Sequence, residues 1–249
     1  MNDAAFELTK VGFGYGDGPV LDGLDLSIEA GQRIALLGAN GSGKSTLLRL
    51  LDALAFPTGG EIRAFGAPLT EDRLRDAAVN AAFRRRVGLV FQNPDVQLFN
   101  PTVFDELAFG PLQMDWPRQR IVEAVDAMLD RFGLARLRNR PPHRLSEGEK
   151  KRVALASVLI LDPEVLLLDE PTAALDPESR TAVLELLARD RRPGRTVITA
   201  THDLAAATAV ADLGLVLAGG RLERTGPLAG LLDDAVLLRR SGLAPSRMD

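Results

Sequence analysis

The chain has 249 residues, 46% of them apolar, with 30 Lys and Arg against 34 Asp and Glu for a net charge of −4. That length and apolar share can bury a full core, as one large domain or one domain with an inserted lobe, and exclude disorder as the main state. The absence of cysteine excludes a disulfide scaffold or thiolate metal site and fits a reducing compartment, and the acidic balance argues against general nucleic-acid affinity.

From the N-terminus, Met1–Lys10 lacks the apolar core of a signal peptide, so no address is readable there. Phe6–Phe13 reads as a strand, then Leu24, Leu26 and Ile28 alternate with Asp25 and Ser27, and Ile34–Leu37 is a short run of the kind buried on both faces. A Gly-rich turn follows at once. Ser45–Ala55 is helical in pattern, Pro57-Thr58-Gly59-Gly60 breaks it, and Glu61–Phe65 and Val87–Phe91 return to strand. From Asn93 to Leu161 the character is helical, with Ile121, Val122, Val125, Met128, Leu129 and Phe132 on one face, which marks an inserted helical lobe. Val165–Leu168 and Val197–Ala200, separated by the helical stretch Pro177–Asp190, have the pattern of parallel strands with crossover helices. Leu213–Ala218, Gly219-Gly220 and Arg221–Arg224 form a closing hairpin. The longest apolar runs, Val153–Leu161 and Val165–Leu168, are far below the roughly 18 residues of a membrane span, so the chain is expected not to cross a bilayer.

Gly38-Ala39-Asn40-Gly41-Ser42-Gly43-Lys44-Ser45-Thr46 has the P-loop spacing and sits where such a loop must, after a strand and opening a helix. Glycines let successive N–H groups point at phosphate oxygens while the helix N-terminus adds partial positive charge. Gly38, Asn40, Gly41, Ser42, Gly43 and Thr46 thus form the expected nucleotide-phosphate cradle, with Lys44 reaching the β and γ phosphates and Ser45 holding Mg²⁺, a loop that serves kinases, GTPases, helicases and transporters alike. Only Lys10, Lys44, Lys150 and Lys151 are lysine among the 30 basic residues, which makes Lys44 informative. The clusters Arg84–Arg86 and Lys150–Arg152 read as solvated helix ends. Asp169 and Glu170 end an apolar strand, the edge of a parallel sheet where ligands bind. Ser146 with Glu149 three residues on has the spacing of a helix capping box.

Leu145-Ser146-Glu147-Gly148-Glu149 resembles the signature motif of the ATP-binding-cassette family, and five further motifs follow the family's order across residues 5–226. Val165–Thr172 resembles its Walker B strand, Ala173–Asp176 its D-loop, Gln92 its Q-loop glutamine, Thr201-His202-Asp203 its switch histidine, and Tyr15 its adenine-stacking ring. The resemblance implies an α/β fold: a P-loop NTPase (RecA-like) core with an antiparallel β subdomain and an inserted helical subdomain. It also implies a nucleotide-binding domain over residues 1–226, its helical part at about 93–161, and a short helical tail over 227–249. Implied roles are Glu170 as general base, His202 and Gln92 as its catalytic companions, and Ser45, Gln92 and Asp169 around Mg²⁺. Ser146, Gly148 and Asp176 would touch ATP bound to a second ATPase subunit. His143 keeps a structural reading.

Where the family writes Leu-Ser-Gly-Gly-Gln, this chain has Glu147 and Glu149, which near a triphosphate must point away or pair with Arg144, Lys150 or Lys151. Gln92–Phe99 continuing through Thr102–Pro111 is similar to energy-coupling-factor ATPases, which power small importers of cobalt, nickel and some vitamins. That resemblance implies an ATP-hydrolysing subunit, a homodimer by default, on the cytoplasmic face of the membrane, with a transmembrane coupling subunit and a substrate-binding membrane subunit as partners and no nucleic acid. Asp95, Asp105 and Glu106 beside Phe99 and Phe104 are expected to meet a basic, partly apolar coupling helix, the alternative being that these acids simply begin helices and complement the dipole. The short stretch after the closing hairpin favours the metal-importing branch over vitamin-type relatives, and the lack of a His or Cys cluster leaves the ion to another subunit. Another importer's ATPase, or a soluble ABC ATPase outside transport, is the alternative; the span Asn93–Leu145 is too short for the coiled coil of a repair ATPase.

Overall fold

The computed structural model describes residues 4–16, 18–190 and 192–243; of the tail expected over 227–249, residues 244–249 lie outside the described residues. In chain order the strands are β1 (Ala4–Tyr15), β2 (Gly18–Glu29), β3 (Arg33–Leu37), β4 (Gly59–Ala64), β5 (Ala67–Pro68), β6 (Val87–Val90), β7 (Val165–Asp169), β8 (Thr196–Thr201), β9 (Leu213–Ala218) and β10 (Arg221–Pro227). The helices are α1 (Lys44–Leu51), α2 (Glu71–Leu74), α3 (Ala77–Arg86), α4 (Val103–Gln113), α5 (Arg118–Arg131), α6 (Glu147–Leu159), α7 (Pro177–Arg189), α8 (Leu204–Val210), α9 (Leu228–Leu232) and α10 (Ala235–Arg240). Among the described residues no helix is long and apolar enough to cross a membrane.

Two sheets organise these elements: an antiparallel one in the order β2-β1-β4-β5, and a six-stranded one in the order β10-β9-β3-β8-β7-β6. All neighbours from β9 to β6 run parallel, and only β10 is antiparallel. The larger sheet is covered on both faces, which is why β3, β7 and β8 read as apolar runs rather than alternations. Ile34, Leu36, Val165, Leu167, Ile198 and Leu217 face α1 and the antiparallel sheet, where they meet Phe6, Leu21, Leu47 and Leu51. Leu166, Leu168 and Val197 face the other way, into a core shared with α4, α5, α6 and α7, and Ala35, Leu37 and Val216 into one shared with α8, α9 and α10. This is the P-loop core with antiparallel sheet and helical subdomain that the resemblance implies.

Three local features depart from the pattern reading. The helix expected over Ser45–Ala55 stops at Leu51, because Ala53 takes a left-handed backbone (φ 53°). The N–H groups of Ala53 and Leu54 then close back on the carbonyls of Leu50 and Arg49 at 3.1 and 2.9 Å, a Schellman termination made without glycine. The stretch between β5 and β6, which carries no periodicity, holds the short helices α2 and α3, started by the side chains of Thr70 and Asp76 accepting from N–H groups of the first turn. Arg84–Arg86 do end α3 in partly exposed positions, where Arg86 pairs with Glu164 at 2.8 Å and lies over the Phe65 ring, but Lys150–Arg152 depart from the solvated reading, because Lys151 is fully buried.

Arg84 joins α3 to the C-terminus of α1, at 3.2 Å from the buried Asp52 carboxylate and donating to the Asp52 carbonyl at 2.6 Å. Burial pushes the Asp52 carboxyl up from 3.8 to about 7, against the pull of Arg84. The folded-state value exceeds the unfolded one, so this group's contribution to stability is complete below about pH 4 and is lost as the pH rises to about 7. Paired thermal melts of the parent and Asp52→Asn should show the parent losing ground across that interval and holding level above it. A difference between the two that does not move with pH would contradict the shift.

Candidate functional site

The larger sheet builds the site through register. Leu37 of β3 pairs with Thr201 of β8, and Ala200 of β8 with Asp169 of β7, so three parallel strands end at one edge with the P-loop, Asp169-Glu170 and Thr201-His202 side by side. After β3 the chain turns through Gly41 (φ 79°) and Gly43 (φ 105°), a conformation that side chains resist. At Gly43 an added Cβ would also strike the Leu21 side chain, so the loop is held against β2. A cavity of about 440 Å³ results, lined by Val20, Asn40, Gly41, Gly43, Lys44, Ser45, Thr46, Gln92 and Glu170.

Glu170 is the most constrained residue of the site. Its backbone is left-handed (φ 42°) and its N–H donates to Ala200 at 2.9 Å. The carboxylate is buried; Oε2 accepts from the Thr201 hydroxyl at 3.0 Å, and Oε1 accepts from the His202 N–H at 3.1 Å and lies 2.7 Å from His202 Nδ1. Lys44 Nζ stands 3.8 Å from the same oxygen and donates to the Gly38 and Ala39 carbonyls at 2.8 and 3.1 Å. Burial lowers the Lys44 pKa, with Glu170 and Asp169 opposing. The Ser45 hydroxyl donates to Asp169 Oδ1 at 3.0 Å, and burial raises the Asp169 pKa against that bond. Ser45, Asp169 and the nearby Gln92 offer hard oxygen donors of the kind Mg²⁺ takes alongside phosphate.

Tyr15 stands apart from the cavity lining, its ring edge-on to Phe13 and its hydroxyl accepting from Arg49 at 3.2 Å. Gly38, although outside the lining, supports the loop: a Cβ there would collide with Ser42 and the Leu217 carbonyl. Ser146, Gly148 and Asp176 form a second group. Ser146 caps α6 in a reciprocal box, accepting from the Glu149 N–H at 3.3 Å while its own N–H donates to the Glu149 carboxylate at 2.9 Å. Asp176 caps α7 by accepting from the Ser179 N–H at 2.9 Å, which lowers its pKa. Gly148 lies so close to Ser179 that a Cβ would overlap its hydroxyl, so the two helix N-termini sit against each other. Glu147 turns to Lys150 at 2.9 Å and Glu149 folds back into the cap.

Reading the sequence missed Val20, which no local pattern marks, and Lys151 and Gln97, which tie the segment after β6 to α6. The scarcity of lysine, used for Lys44, was the available signal for Lys151. Of the three acidic residues expected at the coupling surface, Glu106 is the one the structure removes. Glu106 is buried, accepting from the Phe99 and Asn100 N–H groups at 3.0 and 2.8 Å. Asp105 accepts from the Thr102 hydroxyl at 2.6 Å in the first turn of α4, and Asp95 pairs with Lys150 at 2.8 Å. Beside Asp95, which stays exposed, the surface there presents the large apolar side chains Val96, Phe99, Phe109 and Leu112.

A phosphate loop beside two strand-end carboxylates defines a P-loop nucleotide hydrolase. The ABC transporter family model matches residues 21–173. The chain is 60% identical, over 97% of its length and 96% of the relative's, to the nickel import ATP-binding protein NikO of Rhodobacter capsulatus. It is 40% identical, over 95% of its length and 75% of the relative's, to the energy-coupling factor transporter ATP-binding protein EcfA of Methanothermobacter thermautotrophicus. Its fold matches cbiO1 of Clostridium perfringens, part of the ABC transporter complex cbiONQ, with a TM-score of 0.80 at 35% identity over 97% of this chain and 95% of that one. It also matches the dimeric ATP-binding cassette MJ0796 bound to ADP and Pi, with a TM-score of 0.78 at 28% identity over 90% and 98%. The chain belongs to the ABC transporter family, and it is an ATP-binding, ATP-hydrolysing member.

The capping box can be tested without nucleotide. Ser146→Ala removes the acceptor for the Glu149 N–H, and denaturant unfolding of the nucleotide-free chain should show a loss of about 1 kcal/mol. Parental stability would mean that the cap contributes nothing in solution.

Proposed function

We propose that this chain is the ATPase subunit of an energy-coupling-factor importer, that its cargo is nickel ion, and that the observation carrying its chemistry is the clamp on Glu170. A carboxylate held by Thr201 and His202 at the end of β7 is fixed in direction and able to accept a proton. In this reading water attacks the γ-phosphorus, its proton passes to Glu170, and the β–γ bridging oxygen leaves with ADP. His202 orients Glu170 and the water, Lys44 exchanges its loop carbonyls for phosphate oxygens, and Gly38 through Thr46 cradle the phosphates. Ser45, Gln92 and Asp169 would hold Mg²⁺, which supplies charge neutralisation on the phosphates when bound. Tyr15 stacks on adenine. Residues 1–226 make up the nucleotide-binding domain, with 93–161 as its helical part and the segment from 227 as a tail.

The paired helix N-termini at Ser146–Gly148 and Asp176 suit a triphosphate presented by a second copy of the chain. Nickel is inferred from the relative in Rhodobacter capsulatus and its near coverage of both chains; cobalt is the neighbouring choice, and the ion is recognised by a membrane subunit. The ATPase sits on the cytoplasmic face, joined to a coupling subunit at the groove lined by Val87, Gly88, Phe99, Phe109, Met114 and Leu161.

Two outcomes test this. Lys44→Ala should lose ATP binding, whereas Glu170→Gln should keep it, lower turnover by at least about a hundredfold and collect as dimer with ATP and Mg²⁺. Parental turnover in Glu170→Gln would falsify its role as base, and a monomer at saturating ATP by light scattering would remove the shared site. For the groove, Phe99→Glu with Phe109→Glu should abolish co-purification with the membrane subunits and nickel uptake in cells while basal hydrolysis persists. Intact assembly would exclude this face.

A further inference from the structure

Helix α6 is bound to the segment after β6 by more than apolar packing. The Lys151 side chain is 1% exposed, and its ammonium donates to the Gln92 carbonyl at 2.6 Å and the Phe91 carbonyl at 3.2 Å. Further along the helix, the Ala154 carbonyl and the Ser157 hydroxyl accept from Gln97 Nε2 at 2.9 and 3.2 Å, and Gln97 Oε1 accepts from the Phe91 N–H at 3.2 Å. Lys150 bridges Glu147 at 2.9 Å and Asp95 at 2.8 Å. The Phe91 residue is therefore held at its N–H and at its C=O, and both holds end on α6. Positions 151 and 154 share one helix face, so the tie is a stripe along a rigid rod rather than a single contact. Ser146 lies at the end of that rod, roughly 7 Å of helix rise from Lys151.

A buried ammonium is expensive unless its donors are used. Burial pushes Lys151 down to about 8, with Asp169, Glu147 and Glu170 pulling the other way. Its stem could have been replaced by an apolar side chain of similar length if filling space were its only task. What the ammonium adds is direction: it converges two carbonyls that flank the Gln92 backbone, and Gln92 lines the phosphate cavity.

We propose that Lys151, with Gln97, is a positioning residue for hydrolysis: it fastens the peptide bearing Gln92 to α6, so that movement of the Ser146 end of the helix is transmitted to Gln92. The proposal rests on the reading of Gln92 and Ser146 given above. Nucleotide gripped by the signature helix of one copy would then set the glutamine of that copy's own cavity, linking the two sites of a dimer through Lys151 and Gln97.

The test is steady-state hydrolysis by the full-length chain at varied ATP and Mg²⁺. Lys151→Met should lower kcat about ten- to a hundredfold, as loss of an outer-shell partner does, and raise the Mg²⁺ needed for half-maximal turnover. KM for ATP should stay within about twofold, because the P-loop is untouched. Lys151→Arg, which keeps charged donors, should recover most of the loss. In a Gln92→Ala background Lys151→Met should cost nothing further, since both changes act through one group. Parental kcat in a cooperatively melting Lys151→Met protein, or losses that multiply in the double variant, overturns the proposal. If Lys151→Met does not melt cooperatively, Gln97→Ala releases the same peptide from its N–H side and takes its place with the same expectation. Gln92→Ala at parental turnover would instead remove the role given to Gln92, a failure read on that variant alone.

Discussion

Two carboxylates and one ammonium, Asp169, Glu170 and Lys44, share a pocket in which each is less than a tenth exposed. None could be buried there alone, because an unpaired charge in such a place costs several kcal/mol. Each is therefore held by geometry that the sheet imposes: Ser45 reaches Asp169, Thr201 and His202 hold Glu170, and Lys44 spans the loop carbonyls and Glu170. The register of β3, β8 and β7 brings these groups level at one edge. The left-handed backbone at Glu170 is part of the same constraint, since a non-glycine residue keeps that conformation only where its surroundings over-determine it.

A second set of contacts governs how the helical layer sits on this edge. Segment 91–97 leaves β6 at the cavity and runs directly beneath α6, so whatever moves α6 acts on the cavity wall. Glu106 closes the following turn by accepting from two successive N–H groups. With that carboxylate turned inward, Val96 and Phe99 stand exposed beside Asp95 on the outer surface of the segment, and Phe109 meets Phe99 edge-on with ring centroids 5.0 Å apart. Exposed apolar patches of this kind commonly mark contact sites for other proteins, which is the use proposed for this one above.

The core of this arrangement was legible in the residues. Strand periodicity and the P-loop located β3, β7 and α1, and the family's motif order located Glu170, His202 and Ser146. What escaped was long-range or atypical. Ala53 ends α1 as a glycine would, and the helices between β5 and β6 are too short for periodicity to register. Acidic residues in the first turn of a helix look the same in sequence whether they face a partner, as expected of Glu106, or turn inward to cap a loop, as Glu106 does. Lys151 belongs to the same class of error: a basic residue in a charged run is ordinarily solvated, and only the meeting of α6 with the carbonyls after β6 shows otherwise. Val20 enters the cavity because β2 passes the P-loop, which depends on how the two sheets pack.

The acidic signature segment follows from where its carboxylates go. Of the first four N–H groups of a helix, those at the cap and at the third helical position are used here by the reciprocal bonds of Ser146 and Glu149. The amides of Glu147 and Gly148 are left as the orphan donors of this helix start. Glu147 faces Lys150, which also holds Asp95, and Glu149 has Arg136 at 3.9 Å, so the carboxylates are largely balanced locally. The Ser146 hydroxyl has two acceptor sites and one proton; accepting from Glu149 leaves that proton to donate. Capping and any contact with an anion therefore draw on different parts of one side chain, and a helix start reinforced by Glu149 is already ordered, with less entropy left to lose on binding.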